Sequence, residues 1–194
     1  MKKIIVAALM ALMLVPVFAG KIEKAWNFTV NDEGECIVER SFNTSKDGVA
    51  ALKAFKNALN KQTFENRSTI SEVAGESIVY ELKKNTKSRY NPFAGNFNEA
   101  MQFQMEVRYS DGKVSVSLYD FTLENKYEGF GKNTKNETFA GKIAEYEEAE
   151  EAAANAKGKE KKEHEEVMEN ISDSFNTCQE ELEKMFAAFE KALQ

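Results

Sequence analysis

The sequence predicts an α+β domain, an antiparallel sheet with an early helix and a long C-terminal helix on one face. Three observations predict it. Met101, Phe103, Met105, Val107 and Tyr109 alternate with Gln102, Gln104, Glu106 and Arg108, the period of two of a half-buried strand. Val49, Leu52, Phe55 and Leu59 recur at helical spacing. So do Ile171, Phe175, Cys178, Leu182, Met185, Phe189 and Ala192, over roughly three heptads at the end of the chain.

Residues 1–19, MKKIIVAALMALMLVPVFA, have the pattern of a cleavable export signal: Lys2 and Lys3, an apolar run from Ile4 to Phe18, and small residues at Val17 and Ala19. The run is short for a bilayer span, and polar sequence follows Gly20, so stable membrane insertion is not expected. No Cys follows the cut to anchor a bacterial lipoprotein. The expectation is therefore an exported bacterial protein, periplasmic or extracellular.

The formal charge is -6, and loss of Lys2 and Lys3 makes the mature chain two units more negative. Phosphate backbones are bound by clustered cations, so nucleic acid is disfavoured. A mature chain of this length suits one domain, burying roughly 70% of its unfolded surface without a disulfide scaffold. The expected division is a strand-rich part over 20–136 and a helical part over 137–194.

Trp26, Phe28 and Val30 alternate with Asn27 and Thr29. After a polar break at Asn31 to Gly34, Cys36, Val38 and Phe42 resume the period, with Arg40 interrupting it. Two short strands are predicted. Thr44 with Asp47 resembles a capping box ahead of the first helix, whose flank of Ala50, Ala51, Ala54 and Ala58 suits close packing on a sheet. Arg67 to Val73 is weakly strand-like, and Ile78, Tyr80 and Leu82 alternate clearly. The segment from Asn85 to Asn98, with Pro92, Gly95 and several Asn, is predicted to be a loop carrying Tyr90, Phe93 and Phe97.

Asp111-Gly112 supplies the positive backbone angles of a two-residue type I′ turn and sets a register. If Ser110 pairs with Lys113, Tyr109 faces Val114, Val107 faces Val116 and Met105 faces Leu118. On the other face Arg108 meets Ser115, Glu106 meets Ser117 and Gln104 meets Tyr119. One step further Phe103 would oppose Asp120, so a bulge near Asp120 is predicted. Glu145 to Glu166 shows no apolar stripe and is expected to be a mobile, solvated extension, as one helix or as two broken at Gly158.

The sequence is poor in catalytic patterns. His164 is the single histidine and sits in KEKKEHEEV, a solvated charge run. No Gly-rich phosphate loop, nucleophile elbow, Cys-x-x-Cys or zinc pattern occurs, so no catalytic residue, metal or cofactor is expected. Asp120 is the carboxylate that strict alternation would bury, and an enzyme would be built around it. Five Asn-x-Ser/Thr sequons, at Asn27, Asn43, Asn66, Asn136 and Asn170, matter only in a eukaryotic secretory pathway. Binding candidates are the loop aromatics Tyr90, Phe93 and Phe97 and the polar sheet positions Gln102, Gln104, Arg108, Ser117 and Tyr119. Cys36 and Cys178 both fall on apolar phases, as two buried thiols or one long-range bridge.

The segment FQMEVRYSDGKVSVSLYD (Phe103 to Asp120), preceded by VERSFNTSKDGVAALKAFKNAL (Val38 to Leu59), resembles a family of exported bacterial domains of unknown function with a TATA-box-binding-protein-like (TBP-like) fold. The likeness runs from Cys36 to Phe121. It implies fold and export and supplies no catalytic residue. The expected function is a non-enzymatic binding module for a protein or glycan ligand. The alternatives are a structural protein whose C-terminal helix pairs in a homodimer, and an enzyme using Asp120.

Overall fold

The computed structural model describes residues 26–91, 95–128 and 133–194. The signal predicted at 1–19, Phe93 and the side chain of Tyr90 lie outside the described residues. The described elements are β1 (Val38–Asn43), α1 (Gly48–Asn60), β2 (Asn66–Val73), β3 (Ser77–Asn91), β4 (Gly95–Ser110), β5 (Lys113–Glu128), β6 (Asn133–Thr138), α2 (Phe139–Asn155) and α3 (Gly158–Leu193). They form an α+β fold. Its antiparallel sheet runs β1-β5-β4-β3-β2, with β6 also pairing β5.

The β4–β5 hairpin has the register set by its turn chemistry: Ser110 pairs Lys113, Tyr109 pairs Val114, Val107 pairs Val116, Met105 pairs Leu118 and Gln104 pairs Tyr119. Asp111 and Gly112 both have positive φ, 49° and 75°, as a type I′ turn requires. The pairing then slips between Gln102 and Gln104, and Asp120 takes φ 56°. That bulge turns Asp120 outward and returns Phe121 and Leu123 to the core phase, where both are buried.

Helix α1 starts one turn later than the capping box suggested. Asp47 is the N-cap and accepts from Ala50 N at 2.8 Å. Thr44 instead donates to Leu193 O at 2.6 Å, tying the β1–α1 connection to the end of α3. Leu52, Phe55 and Leu59 face the core with Ala51 and Ala58, whereas Val49 is 66% exposed, because it lies about 120° around the helix from Phe55, on the outer flank.

Three further expectations are corrected. Trp26 to Val30 is not a strand: only Val30 bridges Cys36, while Trp26 and Phe28 are buried by aromatic packing. Residues 85–98 are mostly strand, because β3 and β4 pair out to Asn91 and Gly95. The turn signal at Gly95 does not end the pairing, since Gly95 opens β4 opposite Asn91, and a bulge between Asn85 and Lys87 shifts the phase that alternation would have followed. Strand β6 was missed, since NTKNET carries no apolar side chain to set a period.

Glu145 to Glu166, expected to be a solvated extension, is packed over its first part, where Tyr146, Ala149 and Ala153 are buried. Phe139, Ile143, Tyr146, Ala149 and Ala153 form a buried stripe along α2, disguised because two of its members are alanines among glutamates. The chain does break at Gly158, which has φ 60°. From there α3 runs for 36 residues, about 54 Å at helical rise. Its C-terminal two-thirds bury Ile171, Phe175, Cys178, Leu182, Met185, Phe186, Phe189 and Leu193.

The core is notably aromatic. Phe139 stacks on Phe175 with centroids 4.6 Å apart and on Phe121 at 5.0 Å. Trp26 meets Phe175 and Tyr146 edge to face, and its indole N–H donates to Ser172 Oγ at 3.4 Å. Truncating one of these rings costs about 3–5 kcal/mol by lost transfer and cavity formation. At the β1 edge Arg40 continues the core phase by lying over the Phe186 ring at 4.7 Å and pairing Glu183 at 2.7 Å, so its apolar stem covers what its charge could not.

Candidate functional site: the helix-free sheet face

All three helices pack on one side of the sheet, and strict alternation places polar residues on the other. Gln102, Gln104, Glu106 and Arg108 of β4 lie beside Ser115, Ser117 and Tyr119 of β5, then Glu39 and Ser41 of β1. On the other flank of β4 come Val79, Glu81 and Lys83 of β3. Five residues read from the sequence as binding candidates, Gln102, Gln104, Arg108, Ser117 and Tyr119, therefore share one surface.

Charge on this face is largely closed within the chain. Arg108 pairs Glu106 at 2.8 Å. Lys83 pairs Glu124 at 2.7 Å, and Lys126 reaches Glu124 at 3.0 Å and Glu65 at 3.3 Å. Burial pushes the Glu124 carboxyl up, but the hydrogen bonds and charges of Lys83 and Lys126 outweigh it and hold it below the usual range. Hydroxyls are tied too: Ser117 donates to Glu39 at 3.2 Å, and Ser41 lies 3.2 Å from Ser115. Gln102 donates weakly to Glu81 at 3.4 Å.

The exception lies at the centre. Gln104 and Tyr119 are cross-strand partners beside the Asp120 bulge, and neither side chain hydrogen-bonds another described residue. Both are half-buried. Burial, then the carboxylates of Glu106 and Asp120, push the Tyr119 phenol up, so it keeps its O–H as a donor at neutral pH.

Phe97 is elsewhere. It lies on the helix side of the distal sheet and packs against Tyr127, with centroids 5.0 Å apart. Asp120 is exposed and lies in no desolvated cleft. Cys36 and Cys178 are both buried and both free thiols. Among the described residues no group of three or more His, Cys, Asp or Glu could hold a metal ion, and no helix is long and apolar enough to cross a membrane.

One polar cluster escaped the sequence reading. Glu99 is 2% exposed on the core side of β4. It accepts from Ser174 of α3 at 2.6 Å and from Thr86, the bulge residue of β3, at 3.0 Å. Lys87 pairs Asp173 at 2.7 Å alongside. Its hydroxyls and charges are spent on one another, and burial together with Glu99 pushes the neighbouring Cys178 thiol well up, away from reactive thiolate. The cluster clamps α3 to the β3–β4 ribbon. Glu99 and Lys87 were unreadable as partners because the bulge at Thr86 lies in a segment with loop composition.

No family model matches the chain, and no curated protein does. The chain is similar to a solved TBP-like protein from Parabacteroides distasonis at 14% identity, covering 82% of this chain and 96% of that one with a TM-score of 0.47. It is also similar to a solved DUF4468 family protein from Bacteroides ovatus at 13% identity, covering 84% and 90% with a TM-score of 0.40.

Proposed function

We propose that this chain is a non-enzymatic binding module that acts outside the cytoplasm after losing residues 1–19, with the helix-free sheet face as its ligand-facing surface. One observation carries the reading: β1, β5, β4 and β3 present a continuous polar lattice on a face that no described helix covers. Antiparallel sheets commonly leave one face to solvent, and residues fixed on strands hold a recognition geometry better than loop residues do. The enzyme reading has less support, because exposed Asp120 lacks the desolvation that tunes a catalytic carboxyl. Assembly through α3 has less support as well, because its apolar seam is buried against this chain's own sheet.

The test is site-specific photo-crosslinking in the native envelope. A photoreactive residue at Ser117 or Gln102 should give a discrete adduct, while one at Lys159 or Glu163 of the exposed start of α3 should not. Adducts from α3 alone, or from neither surface, would overturn the reading. N-terminal sequencing of the exported protein should begin near Gly20, and retention of Lys2 and Lys3 would overturn the export step.

A further inference from the structure

The geometry points to an uncharged saccharide as the ligand class of the sheet face, held at the Gln104–Tyr119 pair; the inference rests on the binding-module reading above. Three features of the face converge on that chemistry. First, the cations nearest this pair are already neutralised, Arg108 by Glu106, and Lys83 and Lys126 by Glu124 and Glu65, while Lys113, which has no ion pair with a described residue, lies at the far turn end of β5. An anionic ligand would have to break those pairs, and a phosphate backbone finds no free cationic row. Second, the side chains at the centre of the face that make no hydrogen bond to a described residue are uncharged. The Gln104 amide offers two donors and an acceptor, and the Tyr119 hydroxyl offers a donor and an acceptor. Neither is used by another described residue.

Third, the centre of the face has little aliphatic surface to bury, since Val73, 49% exposed, lies out on the β2 edge. Along its β3, β4 and β5 positions the aliphatic side chains are Val79 and Ala100, and Ala100 is itself buried. A protein or peptide partner gains most of its affinity by burying aromatic and aliphatic anchors, of which the centre of this face offers few. A sugar ring needs less. It needs one aromatic surface for its C–H face and amide or hydroxyl partners for its hydroxyls. Tyr119 with Gln104 supplies both at one cross-strand position, and the Ser115 and Ser117 hydroxyls lie on the same strand and face. The Asp120 bulge matters here because the pairing slips immediately beyond Tyr119, so the Tyr119–Gln104 row sits where the strand bends.

The test is titration of the mature protein with four neutral hexasaccharides, cellohexaose, xylohexaose, laminarihexaose and maltohexaose, followed by calorimetry and by protein NMR shifts. At least one should bind, with shifts centred on residues 102–106 and 115–119. Affinity should be unchanged between 50 mM and 500 mM salt, about the range over which screening removes exposed charge–charge attraction. Tyr119→Ala and Gln104→Ala should each weaken binding about tenfold, the equivalent of one lost well-placed contact. Tyr119→Phe, which keeps the ring, should weaken it less, and Ser71→Ala on the remote edge not at all. Circular dichroism of each variant should match the parent, since both side chains point away from the core. Absence of binding by all four sugars, binding that salt abolishes, or binding indifferent to both Tyr119→Ala and Gln104→Ala would overturn the inference. A protein adduct from Ser117 that persists when these sugars fail would leave the binding-module reading standing and remove only the saccharide.

Discussion

Glu99 of β4 and Ser174 of α3 meet at 2.6 Å in a region where the carboxylate is almost wholly shielded from water. Hydrogen bonds to charged groups contribute about 1.5–3 kcal/mol, more than twice a typical neutral bond, because the acceptor has no water to fall back on. Ser174→Ala should therefore lower stability by about that amount. The neighbouring Lys87–Asp173 pair has Asp173 half exposed, so Asp173→Asn should cost less than about 1 kcal/mol. Urea midpoints of the two variants check the order, and equal losses would show that Glu99 is not the buried anchor.

Two glycines should respond to substitution for opposite geometric reasons. Gly112 needs φ 75°, and Gly112→Val should cost about 1–3 kcal/mol while Gly112→Asn is tolerated better. Gly48 is at an ordinary helix start, where alanine would normally be favoured by about 1 kcal/mol. A Cβ there would overlap the Gly75 carbonyl oxygen and lie 2.9 Å from the Tyr109 ring. Gly48→Ala should thus be destabilising, by about 1–3 kcal/mol for a forced backbone shift. A raised melting temperature for Gly48→Ala would contradict the close approach of α1 to the β2–β3 turn.

The thiols give a test of core packing. Burial pushes Cys36 up to about 12 and Cys178 well above its ordinary value. Native protein at pH 8 should consume almost no dithiobis-nitrobenzoate, and denatured, unreduced protein should consume two equivalents. No consumption after denaturation would establish a bridge, and rapid native labelling of Cys178 would contradict the seating of α3.

What could be read from the sequence followed from how strongly each residue's environment constrains it. The β4–β5 register was legible because Asp111-Gly112 dictates a turn and the apolar alternation then permits one pairing. The same alternation assigned Gln104 and Tyr119 to a common face, and the slip at Phe103 exposed the bulge. It was silent where side chains face solvent on both sides, as in β6, and where packing uses alanine, as at Ala149 and Ala153. The Glu99 clamp was out of reach for another reason. It joins residues 75 positions apart, and nothing local to Glu99 announces a serine on α3.

Acid should loosen the fold through three carboxylates with depressed proton affinity. Burial raises each, but in Glu124 the partners Lys83 and Lys126 prevail, in Glu137 Lys135 and Lys142, and in Glu181 Lys184 and Lys84. A carboxyl whose folded value lies below its unfolded one, about 4.3 for Glu, binds protons less readily when folded. Its stabilising contribution is thus fully present above that unfolded value and is lost as pH falls through the folded one. The urea midpoint should hold from pH 7 to about pH 5 and then decline toward pH 3. Lys83→Met removes a main partner of Glu124, so the variant should be less stable than the parent at pH 7. The two should converge as Glu124 protonates. A difference that stays constant from pH 7 to pH 3 would show that Lys83 acts by packing its stem and not by holding the Glu124 charge.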